Sequence, residues 1–67
     1  MKYMVGQTIS MRDKCSLKIN AIDEDADEIS ATLINPSSRG KAFDDWVEYD
    51  GVSESTITSI IAHHNRR

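Results

Sequence analysis

Polar and apolar side chains alternate along residues 15–22, and this short period is the strongest constraint on what the chain can form. The residues of one parity are apolar or small: Cys15, Leu17, Ile19 and Ala21. The residues between them are polar: Ser16, Lys18 and Asn20. A period of two is that of a half-buried strand, because successive side chains of a strand point to opposite faces of the sheet. The segment therefore predicts an antiparallel strand with one face turned to a core.

Similar short runs, separated by turn residues, make up most of the remaining chain. They predict strands at about residues 2–11, 15–22, 28–34, 41–49 and 52–55. In the first of them, one alternating set shares a face: Tyr3, Val5, Gln7, Ile9 and Met11. The dipeptide Asp50-Gly51 is the strongest short-range signal for a tight hairpin, so we expect it to join the fourth and fifth strands.

The hydrophobic spacing changes near the end of the chain. Ile57, Ile60, Ile61 and His64 recur at helical intervals, and Ser53 or Ser55 could cap a helix there. This spacing predicts a helix or 3₁₀ segment over about residues 56–64. The β-branched run at residues 56–58 favours a strand, which stays the alternative interpretation.

Length and cysteine content limit how such a chain can be stabilised. Sixty-seven residues form one domain, residues 1–67, and a domain of this size buries only about 60% of its unfolded surface. The single Cys15 excludes an intramolecular disulfide, and its alternating position predicts a small buried hydrophobic side chain. The unpaired thiol and the absence of a signal-peptide or membrane-spanning apolar run predict a cytoplasmic protein.

The fourth predicted strand joins aromatic rings to negative charge. Residues 43–50 contain the only Phe, the only Trp and one Tyr, together with four carboxylates. Strand parity places one set on the inner face: Phe43, Asp45, Val47 and Tyr49. It places Trp46 on the outer face between Asp44 and Glu48. With the nearby Asp50, these outer residues form the candidate binding surface, which we call the acidic-aromatic strand.

Five short antiparallel strands with a late helical turn resemble a small SH3-like barrel, in particular its Tudor variant. The resemblance is carried by residues 5–7, the hairpin of residues 17–33, residues 47–51 and residues 57–61. It implies a five-stranded antiparallel barrel and a binding module rather than an enzyme. Tudor domains hold methylated Lys or Arg in an aromatic cage. Here Trp46 has the opposite strand parity to Phe43 and Tyr49, so these three rings cannot line one cage on a regular strand.

The sequence contains no pattern typical of a metal or cofactor site. His63 and His64 are adjacent, whereas metal ligands on one helix face are spaced by about four residues. The carboxylates of residues 23–27 lack the Gly and Glu of a calcium loop, because Glu28 and Ile34 occupy those positions. We therefore predict neither a metal nor a cofactor.

Catalysis has little support in the sequence. Asp44, Asp45 and Glu48 could form an acid–base pair, but a small filled barrel has no room for a water-excluding pocket. A Cys–His pair would require the C-terminal tail to fold against Cys15. We therefore predict a protein that is not an enzyme.

The charge distribution separates the binding hypotheses. Residues 23–50 contain nine acids and only two bases, Arg39 and Lys41. This balance disfavours a phosphate backbone and favours a basic partner, although acids also serve solubility alone. The first hypothesis is an adaptor or inhibitor, typical of bacterial and phage accessory proteins, whose basic protein partner docks on one set of residues: Trp46, Asp44, Glu48 and Asp50.

Two further hypotheses concern other surfaces. The alternative function is a nucleic-acid-binding regulator that uses the basic residues of the chain: Lys2, Arg12, Lys14, Lys18, Arg66 and Arg67. It requires these cations to share a face remote from Asp44 and Glu48. Self-association into a homodimer through the edge of the strand at residues 52–55 is the third hypothesis. None of the three involves a membrane.

Overall fold

The fold is one antiparallel sheet followed by a helix. The computed structural model describes residues 2–36 and 45–66. It contains the strands β1 (Thr8–Ser10), β2 (Ser16–Asp23), β3 (Glu28–Ile34) and β4 (Trp46–Val52), followed by the helix α1 (Glu54–Asn65). The strands lie side by side in chain order. A mainly β antiparallel fold with a C-terminal helix is thereby confirmed. The described sheet is open, with β1 and β4 at its edges, and neither a fifth strand nor closure into a barrel is present in it.

One face of the sheet is buried, together with one side of α1. The core residues come from β2, β3, the helix and the flanking segments: Tyr3, Cys15, Leu17, Ile19, Ile29, Ala31, Leu33 and Ile57. Cys15, Leu17 and Ile19 are at most 1% exposed, which confirms their predicted inward position. The alternating pattern of β2 therefore determines its buried face as far as Ile19.

A bulge in β2 interrupts this alternation. The register changes from Ile19 opposite Ala31 to Ala21 opposite Ser30, so Asn20 is an extra residue in β2. An inserted residue reverses the parity of the residues that follow it. The predicted inward position of Ala21 is therefore wrong: Ala21 is exposed, and Ile22 packs against the core instead.

A second bulge occupies the predicted hairpin turn at Asp50-Gly51. Tyr49 lies opposite Ala31 and Val52 opposite Ile29, so β4 has one residue more than β3 in this interval. Gly51 has a φ of +69°, a left-handed conformation that glycine adopts at little cost. The dipeptide thus bends β4 without ending it. The fifth strand predicted at residues 52–55 is wrong, because Val52 ends β4 and the helix follows.

The helix α1 replaces the predicted fifth strand and confirms helix over strand near the C-terminus. It begins two residues before the predicted segment because Ser53 is the N-cap, and its Oγ accepts a hydrogen bond from the Thr56 N–H at 3.2 Å. Ile57 is fully buried, and Ile60 and Ile61 pack against the core. The helical apolar stripe therefore outweighs the β-branched residues 56–58.

The first predicted strand is shortened by a turn. The Gln7 N–H donates to the Met4 C=O at 3.1 Å, and Gly6 has a φ of +87°. Val5 is consequently 62% exposed, although the predicted alternation places it on the same face as the buried Tyr3. Tyr3 is buried, with its hydroxyl 2.8 Å from Thr58 Oγ1 on α1. The N-terminal segment is therefore bonded to the helix, and the strand itself begins only at Thr8.

Candidate functional site

The face of the sheet opposite the core, which we call the outer face, carries the polar side chains of the strands. The register places one row of residues across all four strands: Thr8, Lys18, Thr32 and Glu48. The neighbouring row has two serines at one side and two apolar residues at the other: Ser10, Ser16, Ile34 and Trp46. The outer face is thus polar, except where β3 and β4 meet.

Trp46 is the more exposed of the two apolar residues at that corner. It is the first residue of β4, lies directly opposite Ile34 and is 62% exposed. Directly opposed residues in an antiparallel pair lie close enough for their side chains to interact. The predicted outward position of Trp46 is confirmed, and the structure adds Ile34 as its neighbour across the strands.

Glu48 follows on the same face and is held by a polar network. Thr32 Oγ1 donates to the Glu48 carboxylate, at 3.2 Å from Oε1 and 3.1 Å from Oε2. Asn20 Nδ2 in turn donates to Thr32 Oγ1 at 2.8 Å. The threonine hydroxyl thus uses both its hydrogen and a lone pair. Two successive hydrogen bonds, from β2 through β3 to β4, orient the carboxylate.

Asp50 reaches the outer face through the β4 bulge. Ser30 Oγ donates to Asp50 Oδ1 at 2.8 Å, and the Gly51 N–H lies 3.4 Å from the same hydroxyl. Trp46, Glu48 and Asp50 therefore share one face of β4. Phe43 and Asp44, which the sequence assigns to the inner and outer faces, lie outside the described residues.

A shallow cavity, open to solvent, lies beside Trp46. Its volume is about 380 Å³, and it is lined by Thr32, Ile34, Asp45, Trp46 and Glu48. Asp45, which strand parity assigns to the inner face, also borders this cavity and immediately precedes β4. Sequence reasoning missed Thr32 and Ile34 as site residues. The alternation along β3 could have identified them, because the buried Ala31 and Leu33 occupy one face of the strand and Thr32 and Ile34 the other.

The inner side of β4 is only partly covered. Tyr49 is half-buried against the core, as its parity predicts. Val47 lies opposite the buried Leu33, yet 41% of its surface is exposed. The helix packs against β3, which is the strand next to β4. The start of β4 therefore exposes apolar side chains on both faces, Trp46 on one and Val47 on the other.

Two of the cations of the nucleic-acid hypothesis lie at opposite ends of the sheet. Lys2 lies beside the first residue of α1, because its backbone N–H donates to Glu54 Oε2 at 3.1 Å. Lys14 lies in the β1–β2 turn, where its C=O accepts from Asn35 Nδ2 at 3.3 Å. Asn35 follows the last residue of β3, whereas α1 starts beside the first residues of that strand.

The remaining described cations are also dispersed. Lys18 lies on the outer face, in the same row as Glu48, and is not remote from the acidic side chains. Arg12 belongs to the β1–β2 turn, and Arg66 caps the C-terminus of α1. Arg67 lies outside the described residues. The described cations thus lie in three parts of the fold: beside the start of α1, in the β1–β2 turn with the adjoining β2, and at the C-terminus of α1.

The described histidine and cysteine side chains belong to no cluster of potential metal ligands. No group of three His, Cys, Asp or Glu side chains within residues 2–36 and 45–66 could hold a metal ion. The rings of His63 and His64 meet edge to face, with centroids 5.0 Å apart. Cys15 is 1% exposed, which confirms its predicted burial. In the same ranges, no helix is both long and apolar enough to cross a membrane.

Comparison of the chain with protein-family models, curated proteins and solved structures gives no match. Membership of the SH3-like or Tudor families therefore stays a prediction.

Proposed function

We propose that this protein is a non-enzymatic interaction module, an adaptor or inhibitor that binds a basic protein surface on the outer face of β4. The observation that carries the proposal is the exposed Trp46 beside the oriented carboxylate of Glu48. Tryptophan is among the residues that contribute most to binding energy at protein interfaces. A carboxylate already held in place loses less conformational freedom when a partner binds.

The hydrogen-bonding pattern supports a cationic partner. The hydroxyls of Thr32 and Ser30 donate to Glu48 and Asp50. Both donors are neutral, so these bonds orient the carboxylates without cancelling their charge. Complementary charge accelerates association and selects among partners. Trp46 would then supply affinity, and the two carboxylates would supply selectivity.

The proposal extends to the protein class suggested by the sequence. A small antiparallel sheet with a C-terminal helix is compatible with an open SH3-like binding module, and the Tudor variant is proposed on sequence grounds. A bacterial or phage accessory role in the cytoplasm is proposed on sequence grounds. The dispersed cations make nucleic-acid binding the weaker alternative, since affinity for phosphates depends on clustered Lys and Arg.

A panel of immobilised basic and acidic peptides of equal length tests the proposal. Trp46→Ala is compared with Val5→Ala, a matched control because both parent side chains are 62% exposed. We expect wild type and Val5→Ala to bind the basic peptides equally. Trp46→Ala should bind them at least about 10-fold more weakly, roughly 1.4 kcal/mol, with its thermal unfolding midpoint nearly unchanged.

Three results would contradict this proposal. Equal binding by Trp46→Ala would move the site elsewhere. Unfolding of Trp46→Ala would show that the tryptophan belongs to the core. Retention of nucleic acid at low salt, with its loss at high salt, would favour the alternative function.

A further inference from the structure

One contact at the start of β4 shows which of its residues direct their backbone N–H and C=O groups toward β3. The Asn35 N–H donates to the Asp45 C=O at 2.9 Å, immediately before Ile34 and Trp46 oppose each other. In an antiparallel ladder, bonded and non-bonded pairs alternate. Asp45, Val47 and Tyr49 therefore direct their backbone groups toward β3.

By the same alternation, Trp46 and Glu48 direct their N–H and C=O groups away from β3. In the described part of the sheet, no strand borders β4 on that side. The same two residues place their side chains on the outer face. The bulge at Asp50-Gly51 ends the regular stretch, which leaves residues 46–49 as an edge on which another strand could pair.

We propose that β4 accepts an extended segment of the partner as an added antiparallel strand in which Arg or Lys alternates with apolar residues. This inference rests on the proposed function and names the docking mode and the chemistry of the partner. A partner residue directly opposite Glu48 shares its face, so a basic side chain there meets the carboxylate. A neighbouring basic side chain on that face lies near the ring of Trp46, where cation–π attraction stabilises it.

The other parity of the added strand lies on the opposite face of the sheet. Val47 is 41% exposed on that face, so an apolar partner residue there would cover it. The pattern of the partner segment thus follows from the two faces of β4: basic on the side of Glu48 and apolar on the side of Val47.

A second copy of β4 fits this edge less well. An antiparallel pair centred on Glu48 would place the two Glu48 carboxylates directly opposite each other, and like charges in that position are destabilising. A shifted pairing still brings Glu48 and Asp50 of both copies onto one face. Charge complementarity therefore favours a basic segment over self-pairing.

Backbone methylation of a probe peptide tests the inference. The probe is a capped seven-residue peptide in which arginine alternates with valine, and binding is followed by Trp46 fluorescence. In the proposed alignment, the residue opposite Glu48 directs its own N–H toward β4, and this residue is an arginine. We expect N-methylation of the arginine nitrogens to weaken binding at least about 10-fold, and N-methylation of the valine nitrogens to change it less than about 3-fold.

A pair of protein variants tests the same hydrogen bonds from the other side. Glu48→Ala removes the carboxylate, whereas Glu48→Pro removes the carboxylate and the N–H that points to the added strand. We expect Glu48→Pro to bind the peptide at least about 5-fold more weakly than Glu48→Ala, with both variants folded by circular dichroism. Equal affinities would contradict the role of the Glu48 N–H and overturn strand addition.

The peptide results separate this inference from the proposed function. Equal tolerance of both methylated series, with binding still dependent on Trp46, would overturn strand addition and leave the proposed function intact. A greater loss of affinity on methylation of the valine nitrogens would mean that the valine N–H groups face β4, and it would overturn the proposed alignment. Retention of other basic peptides but not of the arginine–valine probe would overturn the inference alone, whereas failure of every basic peptide would overturn the proposed function as well.

Discussion

Thr32 and Glu48 lie directly opposite each other on β3 and β4, and the threonine hydroxyl donates to the carboxylate at 3.1–3.2 Å. Asn20 of β2 donates to the same hydroxyl at 2.8 Å, so the contact spans three strands. Hydrogen bonds of exposed groups add little to folding stability, because water competes for the same donors and acceptors. We infer that this contact matters chiefly for orienting Glu48 beside Trp46.

The first prediction concerns this contact. Thr32→Val keeps the shape of the side chain and removes the hydroxyl that bonds Glu48 and Asn20. We expect a loss of at most about 1 kcal/mol in unfolding free energy, measured by urea denaturation, and weaker binding of basic peptides. Thr8→Val is the control, because Thr8 lies in the same row at the opposite edge of the sheet. Equal peptide binding by the two variants would show that the orientation of Glu48 does not matter.

A second prediction tests which backbone groups of β4 bond to β3. Val47→Pro removes an N–H that points toward β3, whereas Glu48→Pro removes one that points away from the sheet. We expect Val47→Pro to lower the unfolding free energy by about 1–3 kcal/mol, because it leaves a carbonyl of β3 without its donor. Glu48→Pro should lower it by clearly less, because proline is tolerated on edge strands when its position faces solvent. Thermal denaturation of the two variants gives the comparison. The reverse order of stability would mean that the Glu48 N–H, and not the Val47 N–H, points toward β3.

The third prediction concerns the bulge at Gly51. Its φ of +69° costs about 1–2 kcal/mol for a residue with a Cβ atom. A Cβ placed there would lie 3.7 Å from Glu28 Oε1, an ordinary contact, so the cost comes from the backbone. Gly51→Ala should therefore destabilise the protein by that amount, and Gly51→Asn by less, because Asn tolerates this region better. Chemical denaturation in which alanine costs nothing would exclude the left-handed conformation.

The fourth prediction concerns the contact between the N-terminal segment and α1. Tyr3→Phe removes the hydroxyl that lies 2.8 Å from Thr58 Oγ1 in a partly buried position. We expect a loss of about 1 kcal/mol in unfolding free energy. Thr58→Val should cost a similar amount, and the double variant should cost less than the sum, since both remove one bond. Additive losses in urea denaturation would show that the two side chains do not interact.

Local patterns were sufficient to predict several elements of the fold. The predicted strand at residues 28–34 coincides with β3, and the spacing of Ile57, Ile60 and Ile61 predicted the helix, with Ser53 as one of its two candidate caps. Strand parity also placed Trp46 outward and Tyr49 inward. These features depend on side-chain period and on capping chemistry, both of which act over a few residues.

Pairing between strands decided the features that local patterns did not predict, namely the two bulges and the cavity beside Trp46. A glycine with positive φ suits a hairpin turn and a bulge equally well, so Asp50-Gly51 could not reveal which of them forms. The bulge at Asn20 is likewise invisible in a regular alternating run, although it turns Ala21 outward. The cavity beside Trp46 depends on Thr32 and Ile34, which are more than ten positions away in the chain.

The sequence by itself determined the extended segments that form β2, β3 and β4, the helical segment near the C-terminus and the buried face of β2 as far as Ile19, because those properties follow from local periodicity. Only the tertiary structure decided where each strand meets its neighbour, because register depends on contacts between residues far apart in sequence. Trp46 and Glu48 illustrate the division. Their shared face follows from spacing alone, whereas their cross-strand neighbours, Ile34 and Thr32, and their position at the edge of the described sheet depend on how the strands pair.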